Sequence, residues 1–205
     1  MAHPVTSSNG FFASPVGINC YNDFIGLPPE VEYLTFEADC CNEDEFVTLD
    51  LTRFHNLKEL HVEEGSLKNV KDLKLHGLTE LETIVIGEDS FSSSLDGSFE
   101  MRYCSISEGL IIHDGSFMHW NEFIISDCSI KKIEIGRDCF MRCEYTVFNS
   151  RLGIYTNPPI LVSAFLQNTN TYGNYAMCSV QQEHQRGAHS LYEGVTDDTW
   201  DYIRN

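Results

Sequence analysis

The chain has 205 residues, enough to bury a core as one domain without metal or disulfide help. Its apolar content of 42%, with 12% aromatics, excludes global disorder, and 31 acidic against 13 basic residues give a formal net charge of -18. That charge repels phosphate backbones and anionic lipid heads, so nucleic acid and membrane surfaces are poor partners.

Residues 1–30 end in GLPPE and read as an N-terminal cap. The opening MAHPVTSSNGFFASPVGINC has no basic n-region, and Pro4, Ser7, Asn9 and Pro15 interrupt any apolar h-region. No N-x-S/T sequon occurs, and the longest apolar stretch, Ile160 to Leu166 with Ser163 inside it, is too short to span a bilayer. The expectation is a cytoplasmic protein without membrane insertion. Eight cysteines (Cys20, Cys40, Cys41, Cys104, Cys128, Cys139, Cys143, Cys178) fall well below the roughly 8–10% that marks a disulfide scaffold.

From Val31 onward one phrase repeats: VEYLTF, then LKELHVEEGSL from Leu57, LETIVIGEDSF from Leu81, SEGLIIHDGSF from Ser107 and IKKIEIGRDCF from Ile130. The closing residues Leu67, Phe91, Phe117 and Phe140 recur at intervals of 24, 26 and 23 residues. A period in this range is the signature of a solenoid, in which each unit buries its apolar face only against its neighbours. Within each block the apolar slots run L-x-x-I-x-I, as in Leu57, Leu60 and Val62 or Ile130, Ile133 and Ile135. Alternation over the last three positions predicts a strand with one buried face. Gly87 and Gly136 follow the strand in two units, where a positive φ would explain them, although Glu63 and His113 hold the same slot elsewhere.

Each unit carries a second alternating segment: VTLDLTRF, KDLKLHGL, SFEMRYC and EFIISDC. Leu49 with Leu51, Leu73 with Leu75, Phe99 with Met101, and Phe123 with Ile125 form its inward pairs. Phe54, Leu78, Cys104 and Cys128 follow three residues later. The expected architecture is therefore β-rich, with about five coils beginning near Val31, Leu57, Leu81, Ile106 and Ile130 and two strands per coil on opposite walls. Residues 31–156 form this solenoid. Pro158 and Pro159 end it, and residues 157–205 read as a C-terminal cap or partly disordered tail, with TDDTWDYIRN as a short helix capped by Thr196.

The pattern L-x-x-I-x-I-G-x-x-S-F, followed by F-x-I-x-x-C, resembles leucine-rich repeat proteins, specifically the surface-antigen-like (BspA or Treponema type) branch and its protist relatives. The resemblance covers residues 31 to about 150. It implies a leucine-rich-repeat-like β-solenoid with protein binding as its default activity and no catalytic residues to carry over. Two features depart from the commonest members: no asparagine ladder follows the strands, and the helix-forming half is missing. The resemblance also raises an alternative, an exported surface or adhesion module at the cell surface.

Candidate chemistry is sparse. Cys104 and Cys128 share a repeat position and would stack as a disulfide, half a metal site, or small core fillers. Cys139 and Cys143, with His113 and His119 one coil earlier, supply one tight pair where structural zinc usually wants two. His184 and His189 read as solvated tail residues. Cys40 and Cys41 lie among Glu37, Asp39, Glu43, Asp44 and Glu45, a stretch without the glycine and terminal glutamate of a calcium loop, so a solvated acidic loop is expected. Neither G-x-S-x-G, H-E-x-x-H nor a phosphate-binding glycine loop occurs. The expectation is a non-enzymatic module without cofactor or metal, and a metal-dependent enzyme ranks last.

The partner, on this reading, is another protein. Residues beside the fourth slot of each block should face solvent: Tyr33 and Thr35, Glu59 and His61, Thr83 and Val85, Gly109 and Ile111, Lys132 and Glu134. Stacking makes two columns of them. His61, Val85 and Ile111 render one column apolar for an exposed face, which suits a protein-binding sheet.

Overall fold

A computed structural model describes residues 15–152 and 176–182. Its elements run β1 (Val16–Ile18), α1 (Tyr21–Ile25), β2 (Tyr33–Phe36), β3 (Thr48–Asp50), β4 (Glu59–Val62), β5 (Asp72–His76), β6 (Thr83–Ile86) and β7 (Ser98–Arg102). They continue with β8 (Ser105–Ile106), β9 (Gly109–Ile112), β10 (Glu122–Ile130), β11 (Ile133–Ile135), β12 (Tyr145–Leu152) and β13 (Ala176–Gln182). Two sheets result. Wall one has the order β1-β2-β4-β6-β9-β11, wall two the order β13-β12-β10-β7-β5-β3, and β8 adds to β10.

Every pairing is parallel. Parallel neighbours need a crossover of a dozen or more residues, and here the opposite wall serves as that crossover. The chain thus winds as a β-solenoid of about four turns. The repeat reading expected about five coils. The five strands it located on wall one are present as β2, β4, β6, β9 and β11, but five rungs bound four closed turns, which accounts for the difference.

The L-x-x-I-x-I slots form the inner face of wall one. Leu34, Leu60, Ile84, Leu110 and Ile133 stack in register, as do Phe36, Val62, Ile86 and Ile112 one pleat further along. Most of these side chains are fully buried, and Ile133, the most open, is 4% exposed. Wall two answers with Leu49, Leu73, Phe99 and Phe123, and with Leu51, Leu75, Met101 and Ile125, all buried. The anchors Phe91, Phe117 and Phe140 stack with ring centroids 4.6 and 5.0 Å apart and planes within 13° and 8°. Trp120 meets Phe91 and Phe117 edge-on. Such ring pairs add about 0.5–1.5 kcal/mol beyond burial.

The corner leaving wall one departs from the sequence expectation. Positive φ is absent at Gly87 and Gly136; it occurs two residues later, at Asp39, Gly65, Asp89, Gly115 and Asp138, and again at the anchor slot, in Cys41, Leu67, Phe91, Phe117 and Phe140. Gly87 and Gly136 are glycine because the coil below passes too close. A Cβ on Gly87 would lie 2.7 Å from the Glu64 nitrogen, and one on Gly136 2.5 Å from the Asp114 nitrogen. A related exchange operates at the first left-handed slot, where the Asp39 carboxylate occupies the place of a Gly65 Cβ and that of Asp89 the place of a Gly115 Cβ. The acidic segment after β2 therefore contains the ordinary corner, with Cys40 and Cys41 in the serine and anchor slots.

At the base, β1 extends wall one below β2, and α1 follows it where a wall-two strand would otherwise lie. Phe24 of α1 packs on Phe36, Phe46 and Phe54, and Arg53 lies over the Phe54 ring at 4.6 Å while donating to the Phe24 carbonyl at 2.9 Å. A helix set there closes the core, as protected sheet edges require. At the other end β13 pairs with β12 from Thr146↔Ala176 to Leu152↔Gln182, so wall two continues with residues from the expected tail region. Pro158, Pro159, His184, His189 and the segment beginning at Thr196 lie outside the described residues.

Candidate partner-binding wall

The outer face of wall one is built by strand alternation. Tyr33, Glu59, Thr83 and Gly109 align in one column, and Thr35, His61, Val85, Ile111 and Glu134 in the next. Lys132 follows Gly109 in the first column, its side chain passing over that glycine. All are half-buried except buried Gly109 and exposed Glu134, as expected of side chains standing on a flat sheet. Nine sequence-selected residues are thus brought onto one surface: Tyr33, Thr35, Glu59, His61, Thr83, Val85, Ile111, Lys132 and Glu134. Rungs about 4.8 Å apart set the spacing.

Charge along the strand-entry side of this face is largely answered. Lys58 Nζ meets Glu32 at 2.8 Å and Lys131 Nζ meets Glu108 at 2.7 Å, while Lys132 pairs with Glu134 and His61 Nε2 lies 3.5 Å from Glu59. The hydrogen bond that Lys58 donates to Glu32 raises the ammonium pKa. At the exit corner the balance differs. Lys68 reaches Asp39 at 3.6 Å and Arg137 reaches Asp114 at 2.7 Å, but exposed Glu37, Glu63, Glu64, Glu88 and Asp89 have no ion pair among the described residues. An acidic edge therefore borders the His61–Val85 column across three successive coils.

Wall two carries a cluster of its own on the outer face. Glu100 accepts from Arg102 Nε, and His76 Nε2 approaches Glu100 to 3.4 Å as an ion-pair contact without hydrogen-bond geometry. Thr48 donates to Asp72 at 3.2 Å, and the Thr52 amide donates to Asp50 at 2.9 Å. Burial pushes the Glu100 carboxyl up, yet the Arg102 hydrogen bond and the His76 and Arg102 charges leave it below the usual range.

The cysteines resolve into packing and hydrogen bonding. In the corner after wall one, each serine or cysteine hydrogen-bonds a carbonyl of the coil below: Ser66 to Glu37, Ser90 to Glu63 at 3.0 Å, Ser116 to Gly87 at 2.7 Å and Cys139 to His113 at 3.1 Å. Cys40 reaches Ile18 in the same way at 3.1 Å. It is the His113 carbonyl that meets Cys139, and burial pushes that thiol up to about 12, keeping it a donor.

A second ladder follows wall two. Cys104 Sγ donates to Leu75 at 3.1 Å, Cys128 Sγ to Met101 at 3.6 Å, and the Cys128 amide to Ser150 Oγ at 3.0 Å. Cys104 and Cys128 do come together, with the Cys104 amide 3.4 Å from Cys128 Sγ, as free thiols. Contact with Cys128 and burial push the Cys104 thiol up. Sequence reasoning weighed Cys104 and Cys128 as a disulfide, half a metal site or core fillers, gave the corner serines no bond, and so missed both ladders. For the first ladder the available signal was the strict recurrence of Ser or Cys immediately before the anchor.

No group of three or more His, Cys, Asp or Glu residues is placed to hold a metal among the described residues. A shallow hollow of about 480 Å³ at the base, lined by Phe24, Ile25, Asp50, Thr52, Arg53 and His55, is the seam between α1 and the end of β3. Arg53 spans it, already bound to the Phe24 carbonyl. No helix among the described residues is long and apolar enough to cross a membrane.

Fold and surface together define the class: a parallel β-solenoid repeat protein with one flat, unpaired wall. No protein-family model matches this chain, and neither a curated protein nor a solved structure matches it.

Proposed function

We propose that this chain is a non-enzymatic protein-interaction module of the leucine-rich-repeat, surface-antigen-like type, and that its partner lies on the outer face of wall one. The observation supporting this reading is the in-register column Thr35, His61, Val85, Ile111 and Glu134, which carries an apolar centre on a face that no other described element covers. An apolar centre within a polar rim is how non-obligate interfaces are organised. Among the described residues the two walls pack their side chains directly on each other in one core, which supports surface recognition as the reading.

The test is an affinity capture with the full chain, repeated with Val85→Glu and Ile111→Glu together. Both positions face outward, so the double variant folds while losing its partner. A partner retained by the variant would remove wall one from consideration.

A further inference from the structure

We infer that Cys40 and Cys41 form a reversible oxidation site, a dithiol that a small hydroperoxide converts to a disulfide between these two adjacent residues. The site is independent of what occupies wall one. Two observations carry it: a departure from the repeat and the contact between the two sulfurs.

Each later corner after wall one ends in a hydrogen-bonding residue followed by an anchor: Ser66 and Leu67, Ser90 and Phe91, Ser116 and Phe117, Cys139 and Phe140. In the corner after β2 both slots hold a thiol. It thus carries two oxidisable groups where each of the others carries at most one.

The backbone brings those groups together. Successive side chains of an extended strand point to opposite faces, but here Asp39 and Cys41 take left-handed φ values of 53° and 57°. Cys40 Sγ consequently lies 3.4 Å from Cys41 Sγ. A disulfide needs about 2.05 Å, a closure of roughly 1.4 Å. Consecutive Cα atoms are about 3.8 Å apart, closer than the roughly 4.4–6.8 Å that disulfides usually bridge. The bond is therefore strained, and strained disulfides are the readily reduced, labile kind.

The two thiols divide the work. Cys40 is half-buried and open to a small oxidant, whereas Cys41 is 2% exposed. Burial pushes the Cys40 thiol up, while hydrogen bonds from Cys41 and Ser66 to its ionised form oppose the rise. Burial and then contact with Cys40 push the Cys41 thiol up, so Cys41 keeps its proton when Cys40 ionises. The Cys40 thiolate attacks one peroxide oxygen, the O–O bond breaks, and hydroxide leaves and takes a proton from solvent. Cys41 sulfur then attacks the Cys40 sulfenic acid, the S–S bond forms as the S–O bond breaks, and the hydroxyl departs with the Cys41 proton as water. Two thiols have lost two electrons, and the hydroperoxide has been reduced to water and an alcohol, or to two waters for hydrogen peroxide. The fold tolerates the change. Cys40 Sγ donates to the Ile18 carbonyl at 3.1 Å and gives that bond up, but the same carbonyl keeps the Glu37 amide at 3.0 Å.

The experiment treats the reduced full chain with a tenfold excess of hydrogen peroxide, removes the oxidant, alkylates in denaturant and maps the peptides by mass spectrometry. The peptide holding Cys40 and Cys41 should be unalkylated and lighter by two hydrogens, and reduced glutathione should restore both thiols. Its rate of formation should rise about tenfold per pH unit between pH 7 and 8.5, as the thiolate fraction does. Cys20→Ser should keep the disulfide. Cys40→Ser, which copies Ser66, Ser90 and Ser116, should abolish it without unfolding the chain, and Cys41→Ala should leave a sulfenic acid on Cys40 that dimedone traps. Alkylation of both residues, pairing of either with Cys20, or equally fast oxidation of Cys104 with Cys128 would overturn the site. Resistance to glutathione would overturn its reversibility, and a rate flat in pH would overturn Cys40 as the attacking thiol.

Discussion

On wall two, Glu100 gathers Arg102 and His76, and Thr48 donates to Asp72, so part of its outer face is tied together within the sheet. On wall one, the column from Thr35 to Glu134 is apolar at its middle, and the neighbouring corner carries carboxylates with no ion pair among the described residues. Both walls obey the same inward rule and share one core. The contrast teaches that a solenoid constrains one side of each strand, while the other side is free to be finished or left open. An unfinished face is where recognition is most economically placed.

The largest effect should come from the layer both walls share. Phe117→Ala removes the middle ring of a three-ring stack and leaves a cavity between Phe91, Phe140 and Trp120. It should cost about 3–5 kcal/mol in urea denaturation, with both walls losing amide protection together. Independent opening of one wall would break the idea of a common core.

Gly136→Ala comes next. Its new Cβ meets backbone of the coil below, which cannot step aside, so a loss of about 1–3 kcal/mol is expected by thermal melting. Gly77→Ala, at φ +68 with nothing within 4 Å, should lose only about 1 kcal/mol from backbone strain. Equal costs would mean that close approach is not what selects glycine after wall one.

The serine ladder should rank below that. Ser116→Ala leaves the Gly87 carbonyl unanswered in a buried corner and should cost about 1–2 kcal/mol, whereas Ser116→Cys, which copies Cys139, should cost less than half as much. Matching losses for the two variants, measured by urea midpoint, would show that the hydrogen bond contributes nothing.

Wall two should show an acid dependence centred on Glu100. The Glu100 pKa is lowered in the folded chain, so its contribution is present above the unfolded carboxylate pKa and is lost as pH falls through the folded one. Glu100→Gln should therefore flatten the acid limb of the stability profile and change it little near neutrality. An acid limb left unchanged in Glu100→Gln would undo this reading of wall two. Val85→Glu with Ile111→Glu sets two carboxylates side by side next to Glu134 and should cost about 1 kcal/mol for the pair, too little to unfold the chain while partner capture is lost.

Much of this architecture was legible in the letters. Strand alternation has period two, so once Leu60, Ile84 and Ile133 are identified as inward, Glu59 and His61, Thr83 and Val85, and Lys132 and Glu134 must face out. The repeat interval then stacks them, and the strand pairings hold them in step. The candidate wall was legible for that reason. Its acidic edge was not, because which carboxylates remain unpaired depends on Lys58, Lys68, Lys131 and Arg137 reaching particular neighbours in other coils.

Sequence alone determined the winding: a repeated L-x-x-I-x-I with a second alternating segment can bury its apolar slots only by stacking two walls. Tertiary structure decided how the corners turn and how the ends close. The left-handed φ values at Asp89 and Phe91, the glycine at 87 and the bonds from Ser90 and Cys139 all answer the backbone of an adjacent coil, some 25 residues away in sequence. So does the substitution of α1 for a wall-two strand at the base. Local spacing specifies which side of a strand is buried, but a corner's conformation is chosen by the carbonyls and amides it must satisfy in its neighbour.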